Sequence, residues 1–235
     1  MLKHSINILE KFKNMIISIH QPEHLPWVPF FSKMKNCDLF VFLDNVQYEK
    51  NYFQNRNLLA DQKGNIFFAT VSVKKNSLSD KINEKKIIFP DYSKKYLNRI
   101  YHSYCKTPFF NKYYENFKEL ILFDHSNLSD LNISLILWMK EILNIKTKTI
   151  RSSEIKSNGK KSDLVLDICC KLNAHEYVTG QSGYDYLDIN KFIENNILVS
   201  IIDNNPQIYP SKNFVAGLSA FDLIMNHGPK SFNYV

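Results

Sequence analysis

The sequence predicts an α/β fold: a single domain with a mainly parallel, Rossmann-like sheet flanked by helices, and a helical middle segment. Three observations predict it. Two short apolar runs, residues 16–19 and 39–43, enclose a helical stretch at 27–36 and so make a βαβ unit. The last third alternates helix and strand signals. Between them, residues 94–143 carry mostly helical patterning.

Taken in order, residues 1–14 place Leu2, Ile6, Leu9 and Phe12 at amphipathic spacing and read as a peripheral extension, leaving 15–235 as the domain. Pro22 and Pro26 keep the loop after the first strand extended, and Pro29 is tolerated only in the first turn of the helix that follows. Residues 65–73 alternate as a strand, with a second short strand at 87–89. Two Tyr- and Lys-rich helices over 94–122 break near Thr107-Pro108, and Ser129 or Asp130 caps a long helix through Leu143 that is apolar nearly all round. A strand at 148–150, a helix opened by Ser162 and Asp163, and a strand at 176–179 follow. A loop at 180–185, a helix at 189–195 and a β-branched strand at 197–202 come next. Ser219 caps a final helix, Asp222 lies three positions on where its charge favours the helix dipole, and Gly228-Pro229 ends it.

Composition narrows the class. In 235 residues, 44% hydrophobic and 14% aromatic side chains suffice for a packed core, and six glycines with eight prolines exclude fibrous or low-complexity chains. The net charge of +7 suits anionic partners, yet no long basic block resembles a nucleic-acid arm. Cys37, Cys105, Cys169 and Cys170 show no zinc-like spacing and read as small hydrophobes in a reducing compartment. The run 131–143 is interrupted by Lys140 and Glu141 and is too short for a bilayer. A cytoplasmic protein without a membrane span is expected.

The chemistry concentrates in three stretches. His20 follows a buried strand, so it stands at the carboxyl edge where parallel sheets bind ligands, with a pKa suited to a general base. His24 lies four residues on, but the prolines oppose the helix that would let the pair share a metal, and no metal is expected. The second stretch, Asp44-Asn-Val-Gln-Tyr to Asn55-Arg-Asn57, crowds amides around a carboxylate and a guanidinium. Gln21, Asn45, Gln47, Tyr48, Asn55, Arg56 and Asn57 are therefore candidates for binding sugar hydroxyls or phosphate, with Asp44 a second catalytic candidate beside His20. The third is Gly180-Gln-Ser-Gly-Tyr-Asp, extended to Asp188, in which glycines allow close backbone approach; it contributes Ser182, Gly183, Tyr186 and Asp188. The first loop lacks the Gly-rich phosphate cradle of dinucleotide sites, so no cofactor is assigned.

On His20-Gln-Pro, Leu25-Pro-Trp, Phe40-Val-Phe-Leu-Asp, Val46-Gln-Tyr, Asn55-Arg-Asn, Tyr177-Val-Thr-Gly-Gln-Ser-Gly, Tyr186-Leu-Asp and Leu218-Ser-Ala-Phe-Asp-Leu-Ile-Met-Asn-His-Gly, the chain resembles the WbqC-like protein family from Met15 to about residue 230. Relatives often carry a glycine in the segment of Val28-Pro29, and this chain does not. The resemblance implies a step on a nucleotide-linked amino sugar in bacterial surface polysaccharide (O-antigen) biosynthesis. One version is a transferase that attaches an acyl or aminoacyl group to the sugar amine, from an activated donor that includes aminoacyl-tRNA. The alternative is a non-catalytic sugar-nucleotide-binding or assembly protein of the same pathway.

Overall fold

Short runs of β-branched and aromatic residues build the sheets, and Pro, Asn and Gly punctuate them. The computed structural model describes residues 14–75, 80–88, 91–203, 208–211 and 215–235. The expected N-terminal extension lies outside these, save for residue 14, as does the end of the strand expected at 87–89. In chain order the elements are β1 (Ile16–His20), α1 (Val28–Lys35), β2 (Leu39–Phe42), β3 (Arg56–Ala60), β4 (Ile66–Thr70), α2 (Asp91–Tyr104), α3 (Phe110–Leu122) and α4 (Leu128–Ile142). There follow β5 (Lys148–Arg151), α5 (Ser162–Lys171), β6 (Glu176–Thr179), the single-turn α6 (Gln181–Tyr184), α7 (Ile189–Glu194), β7 (Leu198–Ile201) and α8 (Ala220–His227).

The chain gathers into two compact units. The first comprises residues 14–20, 32–43 and 147–203. Its five strands are all parallel, in the order β5-β2-β1-β6-β7. The three central strands are buried over most of their length, which explains the apolar runs of β1 and β2. The edge strands β5 and β7 are the more exposed, with Leu198 57% and Ile201 45% accessible. Ser18, a hydroxyl inside β1, is satisfied by donating to the Val178 carbonyl at 2.9 Å. The α5 helix buries Leu164, Val165, Ile168 and Cys169, and α7 buries Phe192, which stacks on Tyr177 of β6. Burial pushes the Cys169 thiol well above its usual range, consistent with an inert packing role.

The second unit comprises residues 21–31, 44–75, 80–88, 91–146, 208–211 and 215–235. It pairs the antiparallel hairpin β3–β4 with α2, α3, α4 and α8 around an aromatic core. The Phe221 ring lies 4.7 Å from Phe117 and 5.3 Å from Tyr104. As expected of an all-round apolar helix, α4 is core, with Leu128, Leu131, Leu135, Ile136 and Met139 buried completely. Its cap is Asn127, whose side chain accepts from Asp130 N at 3.0 Å, rather than Ser129 or Asp130. The break at Thr107-Pro108 and the Ser219 cap of α8 are as expected. Gly228, at φ +53°, ends α8, and a Cβ there would lie 2.3 Å from the Phe109 ring, so glycine is needed for conformation and for space.

Strand β3 was not expected, since Asn55-Arg-Asn57 reads as an amide-rich loop. Its ladder to β4, Arg56↔Thr70 through Ala60↔Ile66, supplies backbone partners, and burial of Asn57, Leu59 and Ala60 overrides local preference. The loop expected at 180–185 likewise winds into α6.

Candidate functional site

Counted along the chain, the five parallel strands of the first unit stand in the order 3-2-1-4-5. From β1 the chain moves outward through β2 to β5, then returns to the other side of β1 with β6. The order thus reverses between β1 and β6, and the crevice beyond the carboxyl ends of two such strands is where open α/β sheets bind nucleotides.

His20 is the last residue of β1 and is half-buried. The pairing Ile16↔Glu176, Ile17↔Tyr177 and Ser18↔Val178, continued by two residues, brings His20 level with Gly180. Neighbouring strands lie about 4.8 Å apart. His20 and the Gly180–Gly183 segment are therefore brought to one edge. A Cβ on Gly183 would sit 2.2 Å from Thr179 Oγ1, so the absent side chain is what lets α6 fold back on the end of β6. Ser182 and Tyr186 are exposed beyond it; partial burial raises the Tyr186 phenol pKa. Asp188 is exposed at the start of α7, where its backbone N–H donates to Ser162 Oγ at 2.9 Å, and it lies 3.9 Å from Lys191 Nζ.

The remaining sequence-nominated residues belong to the second unit, where most are engaged in holding the loops together. Asp44 is completely buried, and its carbonyl accepts from Asn83 N at 3.0 Å. Asn45 is half-buried; Gln47 bridges to Lys81, and Tyr48 N donates to Asp80 O at 2.8 Å. Asn55 and Asn57 are 8% and 1% exposed; Asn55 Nδ2 donates to the Val71 carbonyl, and Asn57 Oδ1 accepts from Leu58 N. Arg56 donates to the Asn51 carbonyl at 2.5 Å, and its guanidinium lies 4.2 Å from the Phe68 ring centroid. Gln21 Oε1 accepts from Gln54 Nε2 at 2.7 Å, and Gln54 Oε1 in turn accepts from Glu49 N at 2.7 Å.

His24 stands at the centre of this web. Its ring is fully buried between Asn132 Oδ1, 3.1 Å from Nδ1, and the Tyr96 hydroxyl, 2.7 Å from Nε2. Asn132 spends its amide protons on the Pro22 and Gln54 carbonyls, so its oxygen is the acceptor and His24 carries its proton on Nδ1. Tyr96 then donates to Nε2. Burial lowers the His24 pKa to about 4, against the opposing effect of the hydrogen bond His24 donates to Asn132. Among the described residues no group of three or more His, Cys, Asp or Glu side chains is placed to hold a metal ion.

One constellation escaped the sequence reading. Asp222, whose position near the start of α8 suggests only a charge favoured by the helix dipole, is 5% exposed and accepts from Tyr104 Oη at 2.9 Å and Tyr209 Oη at 2.8 Å. The available signal was a carboxylate between Phe221 and Leu223 in an apolar run, a position that demands polar partners.

Among the described residues no helix is long and apolar enough to cross a membrane. The model of the WbqC-like protein family matches residues 21–234. An uncharacterized protein of Mycobacterium tuberculosis, Rv1507c, is 27% identical over 226 residues, covering 93% of this chain and 96% of the relative. No solved structure matches the chain.

Proposed function

The chain belongs to the WbqC-like protein family, and on that premise we propose that it is a cytoplasmic transferase of bacterial surface polysaccharide (O-antigen) assembly. Its substrate is a nucleotide-activated amino sugar, and it attaches an acyl or aminoacyl group to the sugar amine. The observation that carries this reading is the reversal of strand order between β1 and β6, with His20 and the Gly180–Gly183 segment at that point. A nucleotide fits such an edge, and His20 supplies the base. The amine nitrogen attacks the acyl carbonyl, a C–N bond forms, and the bond to the donor's leaving group breaks. The proton lost by the amine passes through His20 to that leaving group.

The complete burial of Asp44 favours a second reading, a non-catalytic sugar-nucleotide-binding or assembly protein, because it withholds the other nominated carboxylate from solvent. Purified protein incubated with amino-sugar nucleotides and acyl-thioester or aminoacyl-tRNA donors, followed by mass spectrometry, separates the two. The transferase reading expects a mass gain of one acyl group, falling about 100-fold or more in His20→Ala. Saturable binding with no mass gain from any donor, or undiminished turnover by His20→Ala, overturns it.

A further inference from the structure

The second unit contains a cavity of about 480 Å³, within the usual range for small-ligand sites. It is walled by residues 60–62, 103–104, 106–108 and 210–211 and by Asp222 and Asn226 of α8. The lining is rich in groups that bind hydroxyls and amines: two carboxylates, Asp61 and Asp222, stand against one lysine, Lys106, and Gln62, Thr107 and Asn226 add an amide, a hydroxyl and an amide. The Ser211 hydroxyl, also in the wall, is buried with no hydrogen-bond partner among the described residues.

Asp222 gives the cavity its chemistry. A carboxylate offers about four acceptor positions. Here three are filled, by Tyr104 on Oδ1 and by Tyr209 and, at 3.3 Å, Asn226 on Oδ2. The fourth remains, on Oδ1. Neither lysine nor arginine pairs with Asp222 among the described residues; His227 acts on it through charge alone, its Nε2 lying 2.6 Å from the Pro210 carbonyl. Burial pushes the carboxyl pKa up, against these hydrogen bonds and the opposing charge of His227. Asp61, by contrast, is held below the usual carboxylate range by Asn65 and stays ionised at the rim.

We propose that this cavity is a binding site for a primary ammonium group on a small polar ligand, with Asp222 as its counter-charge and the surrounding hydroxyls and amides as partners for the rest of the molecule. The site is made wholly by the second unit and does not rest on the transferase reading. The same ammonium chemistry is offered by a free amino sugar and by the α-amine of an aminoacyl donor. Glucosamine and glycinamide are the two probes, each set against its N-acetyl form, which keeps the shape and removes the charge.

Binding is read by NMR titration of the whole chain. The expected result is saturable binding of at least one free amine. Its N-acetyl form, and the free amine on Asp222→Asn, should bind about tenfold or more weakly, the loss that accompanies removal of a charge-assisted hydrogen bond. Saturation by glucosamine alone assigns an amino sugar, and by glycinamide alone an aminoacyl donor. Equal binding of amine and N-acetyl forms to the wild-type chain overturns the proposal without recourse to any variant. So does undiminished binding by Asp222→Asn, or failure of both amines to saturate. Turnover by His20→Ala bears on the sheet edge alone.

Discussion

Two buried polar clusters in the second unit use the same chemistry, a tyrosine hydroxyl donating to an ionisable group, and reach different ends. Around His24, each ring nitrogen has a partner, and the Asn132 amide satisfies two backbone carbonyls besides. Around Asp222, two tyrosines and an asparagine leave an acceptor position on a carboxylate that borders a cavity. Burial drives both groups toward neutrality, lowering the imidazole pKa and raising the carboxyl pKa. The difference lies in completion. A closed network rigidifies the loops it joins, whereas one that retains an acceptor beside a cavity keeps an affinity for something else.

The sharpest way to break this contrast is to open the closed cluster. Asn132→Ala orphans the His24 Nδ1–H and the Pro22 and Gln54 carbonyls in a region without solvent, and is expected to lower stability by about 4 kcal/mol in urea unfolding. A loss below that of an ordinary surface substitution would show the cluster to be dispensable.

Next comes pH. His24 titrates near 4 in the folded chain and near 6.5 unfolded. As pH falls, the unfolded chain takes up the proton first, so stability present above pH 6.5 is lost as pH drops toward 4, by about 3 kcal/mol in total. His24→Gln should remove that part of the pH dependence while costing stability at neutral pH. Unfolding curves at pH 7 and pH 4.5 that shift equally in both proteins would contradict the assignment.

The smallest effect comes from matched hydroxyl deletions. Tyr96→Phe leaves Nε2 of the fully buried His24 unpaired and should cost about 2 kcal/mol, while Tyr209→Phe, whose partner Asp222 lines a cavity large enough for water, should cost about 1 kcal/mol. Reversal of that order would mean that the Asp222 cluster is the closed one.

These clusters also mark where the sequence was readable. The strands at Ile16–His20 and Leu39–Phe42 announce themselves as short apolar runs because both faces are covered, and that placed His20 at a carboxyl edge. The amides from Asn45 to Asn57 were equally visible, but their partners were not. Gln54 meets Gln21, and Asn132 reaches two carbonyls at 78 and 110 residues' separation. Local composition signals that polar side chains need partners, and is silent on whether those partners are ligands or the chain itself.

From its sequence alone the protein has determined that it is α/β, where its parallel strands run, how the last helix is capped, and that His20 follows the first strand, since each depends on short-range periodicity or capping chemistry. Tertiary structure alone decided that the strand order reverses between β1 and β6, that His24 is neutral and enclosed, and that Asp222 faces a cavity between two tyrosines. Those outcomes depend on which distant groups converge, and on how much water they exclude when they do.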